Sequence, residues 1–342
     1  MDKAPVPPQR PNFFYHLHSP TIPAREARFY YTFGLGGISV LLFIVLVLTG
    51  VLEMFIYVPT PESAPASIRQ ITYRAPFGWL LRNMHFWGGQ MMVGTVALHM
   101  ARVVFSGGYK ARRFNWVIGL LLLALTLLLD FTGYVLRWDQ DTGWALLVGT
   151  NLVKEIPGIG SALYRFITGG EGISEVTLIR FYAWHVLGLV LISFALMAWH
   201  LFRVRRDGGI SHRAREPRVS REQLVRTEVT AAWLTLAVLV GLSLAADAPL
   251  GPPADPTAVV AAPHAPWFFL WVQELLRVAS PWLAGVLAPL TVLLILGVLP
   301  YIFDRSDAGM AQWFNRPGRV AQLVFFTIVV GILLLTLRSA LR

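Results

Sequence analysis

Seven stretches of the chain are apolar over about 19 to 29 residues each: 30–57, 77–105, 115–136, 177–203, 228–246, 281–303 and 318–338. A helix needs about 20 such residues to cross the hydrocarbon of a bilayer. None of the seven alternates apolar and polar residues with the period of two that a barrel strand requires, so the pattern predicts helices. The expected fold class is all-α: a polytopic membrane protein with seven transmembrane helices. Composition agrees, since 55% of the 342 residues are hydrophobic and only 14% charged, against about 25% charged in soluble domains. The first thirty residues are polar, aromatic and proline-rich. They contain no short apolar core followed by a small-residue cleavage site, so the first apolar run is expected to stay in the protein.

The loops carry a strong charge asymmetry. Eighteen Lys and Arg residues fall in the N-terminal segment and the even-numbered loops, against eight in the odd-numbered loops and the C-terminal end. By the positive-inside rule the N-terminus faces the cytoplasm and the C-terminus the opposite, positive side. The formal charge of +10 is therefore topogenic, and no nucleic-acid partner is expected. Two long segments, about 137–176 and 247–280, face the positive side. In them "WDQDTGW" and "APHAPWFFLWVQELLR" read as short helices lying at the interface, where long loops of mixed polarity tend to carry function. The chain has no cysteine, which excludes disulfides, iron–sulfur ligation and covalent haem attachment within it.

Four of the eight histidines lie inside apolar spans: His85 and His99 on the second, His185 and His200 on the fourth. Fourteen residues rise about 21 Å along a helix and turn through about 1400°, within about 40° of whole turns. His85 and His99 thus share a face, one in each half of the bilayer. His185 and His200 are fifteen apart, about 60° off whole turns. The second and fourth spans cross in the same direction, so His85 stands level with His185 and His99 with His200. Neutral imidazole is a good axial ligand for haem iron, and a bundle interior suits the apolar macrocycle. Two matched pairs predict two non-covalent, bis-histidine b-type haems stacked across the membrane.

Small residues and cations support this reading. Gly36, Gly37 and Gly50 on the first span and Gly119 and Gly133 on the third repeat at thirteen to fourteen residues, the interval of the histidines, and are expected to leave room where the flat face of a haem meets a helix backbone. Arg82 lies one turn before His85 and Arg102 one turn after His99. An arginine there needs a partner, and haem propionates are expected to supply it.

These stretches resemble cytochrome b of the bc/bf-type quinol:cytochrome c (or plastocyanin) oxidoreductases. The similarity is carried by "FGLGGISVLLFIVLVLTG", "GWLLRNMHFWGGQMMVGTVALHMARVVFSGGYK", "TGYVLRWDQDTGWA", "IPGIGSAL" and "TLIRFYAWHVLGLVLISFALMAWHLFRVRRDGGIS". The fifteen-residue interval to His200 is similar to the photosynthetic-type branch, and residues 226–338 resemble that branch's separate three-helix subunit, fused here. The resemblance implies two units: 1–210, a four-helix dihaem bundle, and 211–342, three helices completing a quinol site.

It also implies roles. His85 and His185 would hold a low-potential haem near the positive side, and His99 and His200 a high-potential haem near the negative side. Quinol would be oxidised near Tyr134, Trp138, Asp139 and Trp144, with the loop of Pro266, Trp267 and Phe268. A quinone site on the negative side would lie near Arg205 and Arg206. A Rieske iron–sulfur protein and a c-type cytochrome would be partners in a homodimeric complex of an energy-transducing membrane.

Two departures matter. Gly34 stands where the photosynthetic branch has a cysteine that attaches an extra haem, so no covalent c-type haem is expected. Ala265-Pro266-Trp267-Phe268 replaces the family's Pro-Glu-Trp-Tyr, so the glutamate that takes a quinol proton is a proline here. His264, Asp139 and Glu274 are the candidates for that task. Two other readings stay open at this point: a dihaem membrane anchor serving a non-Rieske partner, and a proton-coupled transporter using the histidines as relays.

Overall fold

The computed structural model describes residues 20–24, 27–207, 217–254 and 264–342; His16, His18 and His212 lie outside them. A short strand β1 (Thr21–Pro23) leads to helices α1 (Leu35–Met54), α2 (Ala64–Tyr73), α3 (Gly78–Phe105), α4 (Arg113–Val135), α5 (Gln140–Lys154), α6 (Gly160–Thr168) and α7 (Glu175–Arg206). Then come strand β2 (Arg218–Ser220), α8 (Arg221–Ala245), α9 (Leu270–Leu276), α10 (Trp282–Phe303) and α11 (Arg319–Ala340). The fold is helical apart from the two strands. These pair antiparallel, Ile22 opposite Val219, and pin the segment before α1 to the start of α8.

Six helices are long and apolar enough to cross a membrane: α1, α4, α7, α8, α10 and α11. The 28-residue α3 coincides with the second apolar run but is interrupted by Arg82, His85, Gln90, His99 and Arg102. Leu48, Leu98, Phe194, Leu234 and Leu294 are each more than half exposed. Such apolar side chains turned outward are stable against lipid tails, while polar groups must be satisfied inside.

Helix ends follow from local chemistry. Asp139 caps α5, accepting from the Thr142 N–H at 3.1 Å while the Thr142 hydroxyl bonds the Asp139 N–H. This is the reciprocal capping arrangement that satisfies two free donors at a helix start. Ser174 and Thr177 form the same box at the start of α7. The stretches read as interfacial are indeed short helices, α5 and α9. Helices α2 and α6 are additional ones that the apolar pattern did not announce.

α1 packs on α3, α7 on α4, α8 on α3 and α1, and α9 on α11. The C-terminal helices are sewn to the first bundle at both ends. At one end, the Asn83 amide bonds the Ser243 carbonyl at 2.9 Å and the Asp247 carboxylate at 3.0 Å, and its own oxygen accepts from the Ala248 N–H at 2.8 Å. There too the buried Tyr57 hydroxyl donates to the Leu136 carbonyl at 2.8 Å, tying the end of α1 to the end of α4. Burial raises the Tyr57 phenol well above its usual range, so it stays a donor. At the other end, Lys110 and Asp304 form a fully buried ion pair at 2.5 Å, with Tyr109 donating to the same carboxylate at 2.6 Å and Lys110 to the Ser306 carbonyl at 2.8 Å. Burial, then the Asp304 bond, pushes the Tyr109 phenol up as well.

Candidate functional site

An internal cavity of about 970 Å³ runs through the first bundle, and its wall contains all four intraspan histidines. It lies near the top of the ~300–1,000 Å³ range of ligand sites. α3 presents His85 and His99, α7 presents His185 and His200, and α1 and α4 close the other two sides.

Each imidazole lies against a glycine. A Cβ on Gly50 would fall 3.0 Å from His85 Cε1, one on Gly133 2.6 Å from His185 Cε1, one on Gly36 3.4 Å from His99 Cε1 and one on Gly119 3.4 Å from His200 Cε1. The glycines therefore make room for the histidine rings, which then approach the neighbouring backbone. At Gly37 a Cβ would meet nothing, so of the adjacent pair only Gly36 serves the ring.

The close approach fixes the tautomers. His185 Nδ1 lies 3.1 Å from the Leu129 carbonyl. A carbonyl only accepts, so Nδ1 carries the proton and Nε2 keeps a free lone pair for a metal. The Leu46 carbonyl stands beside the His85 imidazole. In both cases the carbonyl lies four residues before the contacting glycine, the acceptor exposed along that groove of the helix. The Asn115 carbonyl stands beside the His200 imidazole in the same register, and His200 Nδ1 has no hydrogen-bond partner among the described residues. His99 Nδ1 is buried without a hydrogen-bond partner among the described residues.

Two threonines complete the first level. Thr49 Oγ1 lies 2.9 Å from His85 Nδ1 and Thr132 Oγ1 3.1 Å from His185 Nδ1. Each hydroxyl donates back to its own helix, Thr49 to the Val45 carbonyl and Thr132 to the Leu128 carbonyl, both at 2.8 Å, and so offers its lone pairs to the ring. Neither threonine was picked out from the sequence. The signal was a repeated Thr-Gly dipeptide, 49–50 and 132–133, at the level of one histidine pair.

His185 lies in a π-helical turn, Trp184–Gly188. Such a turn closes i to i+5 and takes up one extra residue. The fifteen-residue interval from His185 to His200 then behaves as fourteen, which brings both rings onto the same face as the fourteen-residue pair on α3. Trp184 packs over Gly188, where a Cβ would stand 2.3 Å from the indole.

The pairing fits haem. The His85 and His185 ring centroids are 6.2 Å apart with planes at 75°. Two metal–nitrogen bonds of about 2 Å each plus the two ring radii span about that distance. His99 and His200 are electrostatic neighbours in the second level. Among the described residues no cluster of three or more His, Cys, Asp or Glu side chains is placed to hold a metal. Sites offering two imidazoles and an apolar cavity suit a metal whose other ligands come with its macrocycle.

The remaining candidates divide into two groups. Arg82, Arg102, Tyr134 and Arg205 are in the cavity wall. Arg82 donates to the Ala248 carbonyl at 3.0 Å and to that of Pro249. Arg102 donates to the Tyr31 carbonyl at 2.8 Å and lies over the Tyr31 ring at 4.4 Å. The Arg137 guanidinium covers the Tyr134 ring at 4.8 Å.

The others stand outside the cavity. Arg206 pairs with Asp207 at 2.8 Å. Trp138 adopts a positive φ of 50° just before α5, and Trp144 is half-buried on that helix. Pro266 caps the 3₁₀ turn Trp267–Phe269, Phe268 is buried and Trp267 half-exposed. The three candidate proton acceptors are placed unlike one another. His264 is exposed. Asp139 is buried, capping α5, pairing with Arg137 at 2.9 Å and accepting from the Gly251 N–H at 3.1 Å, so its carboxylate is committed to structure. Glu274 is buried among Arg277, Arg338 and Arg342 at 3.4, 2.9 and 3.4 Å, an ion-pair hub between α9 and α11 rather than a free base.

Comparison with known proteins agrees with this architecture. The family model described as cytochrome b/b6/petB matches residues 23–208, and that described as cytochrome b(C-terminal)/b6/petD matches residues 253–341. Cytochrome b6 of Heliobacterium modesticaldum is 40% identical over 188 residues, 55% of this chain and 87% of that protein. Cytochrome b6 of Chlamydomonas reinhardtii is 38% identical over 175 residues, 51% of this chain and 81% of its own length. A chain of a solved hyperthermophilic respiratory complex III superposes with a TM-score of 0.80 at 26% identity, covering 90% of this chain and 84% of that one.

Proposed function

The chain belongs to the cytochrome b family, and on that premise we propose that it is the dihaem subunit of a quinol-oxidising cytochrome complex. The observation that carries the reading is the two-level arrangement of histidines in one cavity, each ring seated on a glycine. His85 and His185 would hold one haem b and His99 and His200 the other, with Arg82 and Arg102 as propionate partners. Haem iron, when bound, supplies one-electron redox chemistry. The chain's own work is to orient the imidazoles through Thr49, Thr132 and the backbone carbonyls, to keep water from the cavity, and to place cations at its ends.

α3 serves as a seventh span in this reading. Its histidines face the bundle, where the cofactors would engage them, while Arg82 and Arg102 donate to backbone carbonyls and Gln90 bonds Asp130. The N-terminus lies on the cytoplasmic side and the C-terminus on the positive side, as the arginine asymmetry supports. Residues 1–210 form the dihaem unit and 211–342 complete the quinol site. Quinol is oxidised beside Tyr134, Trp138, Trp144 and the Pro266–Phe268 turn, and quinone is reduced near Arg205 and Arg206. A Rieske protein and a c-type cytochrome act as partners in a homodimeric complex that moves protons across an energy-transducing membrane.

Pro266 in place of an acid favours a second reading, a dihaem anchor passing electrons between quinone and a non-Rieske partner. One experiment separates them. The purified complex should contain two b-type haems per chain by reduced-minus-oxidised spectrum, carry an iron–sulfur protein and reduce cytochrome c from quinol in an inhibitor-sensitive way. Two haems without that activity would leave the anchor; a colourless protein would sink both.

A further inference from the structure

Three carboxylates stand in the cavity wall on membrane-spanning helices, Glu53 on α1, Asp130 on α4 and Glu228 near the start of α8. A carboxylate at such depth is costly without a partner and marks a functional site by default. Asp130 forms no ion pair among the described residues. Its partner is the Gln90 amide on α3, whose Nε2 lies 3.3 and 3.4 Å from the two carboxylate oxygens.

The direction of that amide is fixed from outside the cavity. The Trp267 indole donates to Gln90 Oε1 at 2.7 Å. An indole N–H can only donate, so the oxygen of Gln90 must face Trp267 and its NH₂ must face Asp130. A Cβ on Gly89 would lie 2.7 Å from Asp130 Oδ1, so the glycine leaves the space the carboxylate occupies. The next residue, Phe131, packs edge-on against Phe269 at 5.9 Å. Asp130 is thus tied twice to the turn that begins at Pro266, a residue with no proton acceptor of its own. One amide donor leaves most of the carboxylate's acceptor positions open to a hydroxyl.

From this juxtaposition of Asp130, Gln90 and Trp267 we propose that Asp130 accepts a proton from quinol at the positive-side site. The inference rests on the quinol-oxidising reading above. Oxidation of one quinol breaks its two O–H bonds and releases two electrons. The electrons leave singly, one to ferric haem and one to an external one-electron carrier of the iron–sulfur class. One proton is held on Asp130 and passes to positive-side water; the other leaves to that water on the side of the external carrier. Asp139 caps a helix and Glu274 lies among three arginines. Glu53, an electrostatic neighbour of Arg82, has one buried carboxylate oxygen without a hydrogen bond among the described residues, and Glu228 stands near the start of α8; Asp130 is the acid of the wall that a hydrogen-bond chain joins to Trp267.

The test uses the assembled complex with decylubiquinol and a short-chain menaquinol as donors. Asp130→Asn should lower cytochrome c reduction about 100-fold, the scale of a lost acid–base group, with haem content and reduced spectrum unchanged. Asp130→Glu should recover at least about a tenth of the parental rate. The parent should show a quinol-induced infrared band of a protonated carboxyl that Asp130→Asn lacks. If Asp130→Asn fails to assemble, Gln90→Leu carries the test, with an expected loss of about tenfold or more. Parental turnover in an assembled Asp130→Asn or Gln90→Leu complex, or a carboxyl band that survives Asp130→Asn, would overturn the assignment. A parent complex with both haems that oxidises neither quinol overturns the functional reading and the assignment with it.

Discussion

His85 and His185 come from sequence positions one hundred residues apart, yet their rings meet at 6.2 Å across the cavity, each with its Nδ1 turned to a threonine hydroxyl, and that of His185 also to the Leu129 carbonyl. The pair is shaped before any metal arrives, because both Nδ1 atoms have partners that leave Nε2 free.

The first prediction concerns stoichiometry. His185→Ala should remove one of two haems and leave the pair held by His99 and His200, halving the haem per chain in a pyridine haemochrome assay. His200→Ala should remove the other. A chain that keeps two haems after either change would refute the assignment of these ligands.

The second contrasts two glycines. Gly133→Ala sets a Cβ 2.6 Å from the His185 ring, an impossible approach, whereas Gly36→Ala sets one 3.4 Å from His99, tight but adjustable. Haem should be lost from the His85–His185 level in the first variant and retained in the second. Equal retention in both, read from the spectrum, would mean that the glycines do not seat the rings.

Orientation is a separate matter from ligation. Thr132→Val removes the hydroxyl beside His185 Nδ1 and keeps the shape of the side chain. Haem affinity should fall by about tenfold, the low end for loss of a group that orients a metal ligand, while Thr235→Val, on α8 and outside the cavity wall, should leave it unchanged. Unaltered haem retention on titration with a competing apo-protein would argue against the hydroxyl's part.

At the opposite end of the bundle, Lys110 and Asp304 are both buried and 2.5 Å apart. Removing one partner leaves an uncompensated buried charge, which costs about 3–5 kcal/mol, and replacing both with apolar residues can restore much of it. Thermal unfolding in detergent should show Lys110→Met markedly destabilised and Lys110→Met/Asp304→Leu partly recovered. A single variant as stable as the parent would show that the clamp contributes little.

The sequence by itself determined six of the spans, their order and the facing histidine pairs. Apolar length and helical rise are local properties, and they place His85 with His185 and His99 with His200 before any packing is known. It also carried the glycine period, because a missing side chain repeats at the interval of the rings it must admit.

What only the tertiary structure decided is what each polar group is bonded to. Asp139 and Glu274 look like free bases in a string of letters, and packing commits one to a helix cap and the other to three arginines. Asp130 and Gln90 looked unremarkable inside apolar runs until Trp267, far away in sequence, fixed the amide between them. The fifteen-residue interval on α7 also waited on the structure, because a π turn at His185 takes up the odd residue. Hydrogen bonds and close approaches join residues distant along the chain, so no local period can foretell them.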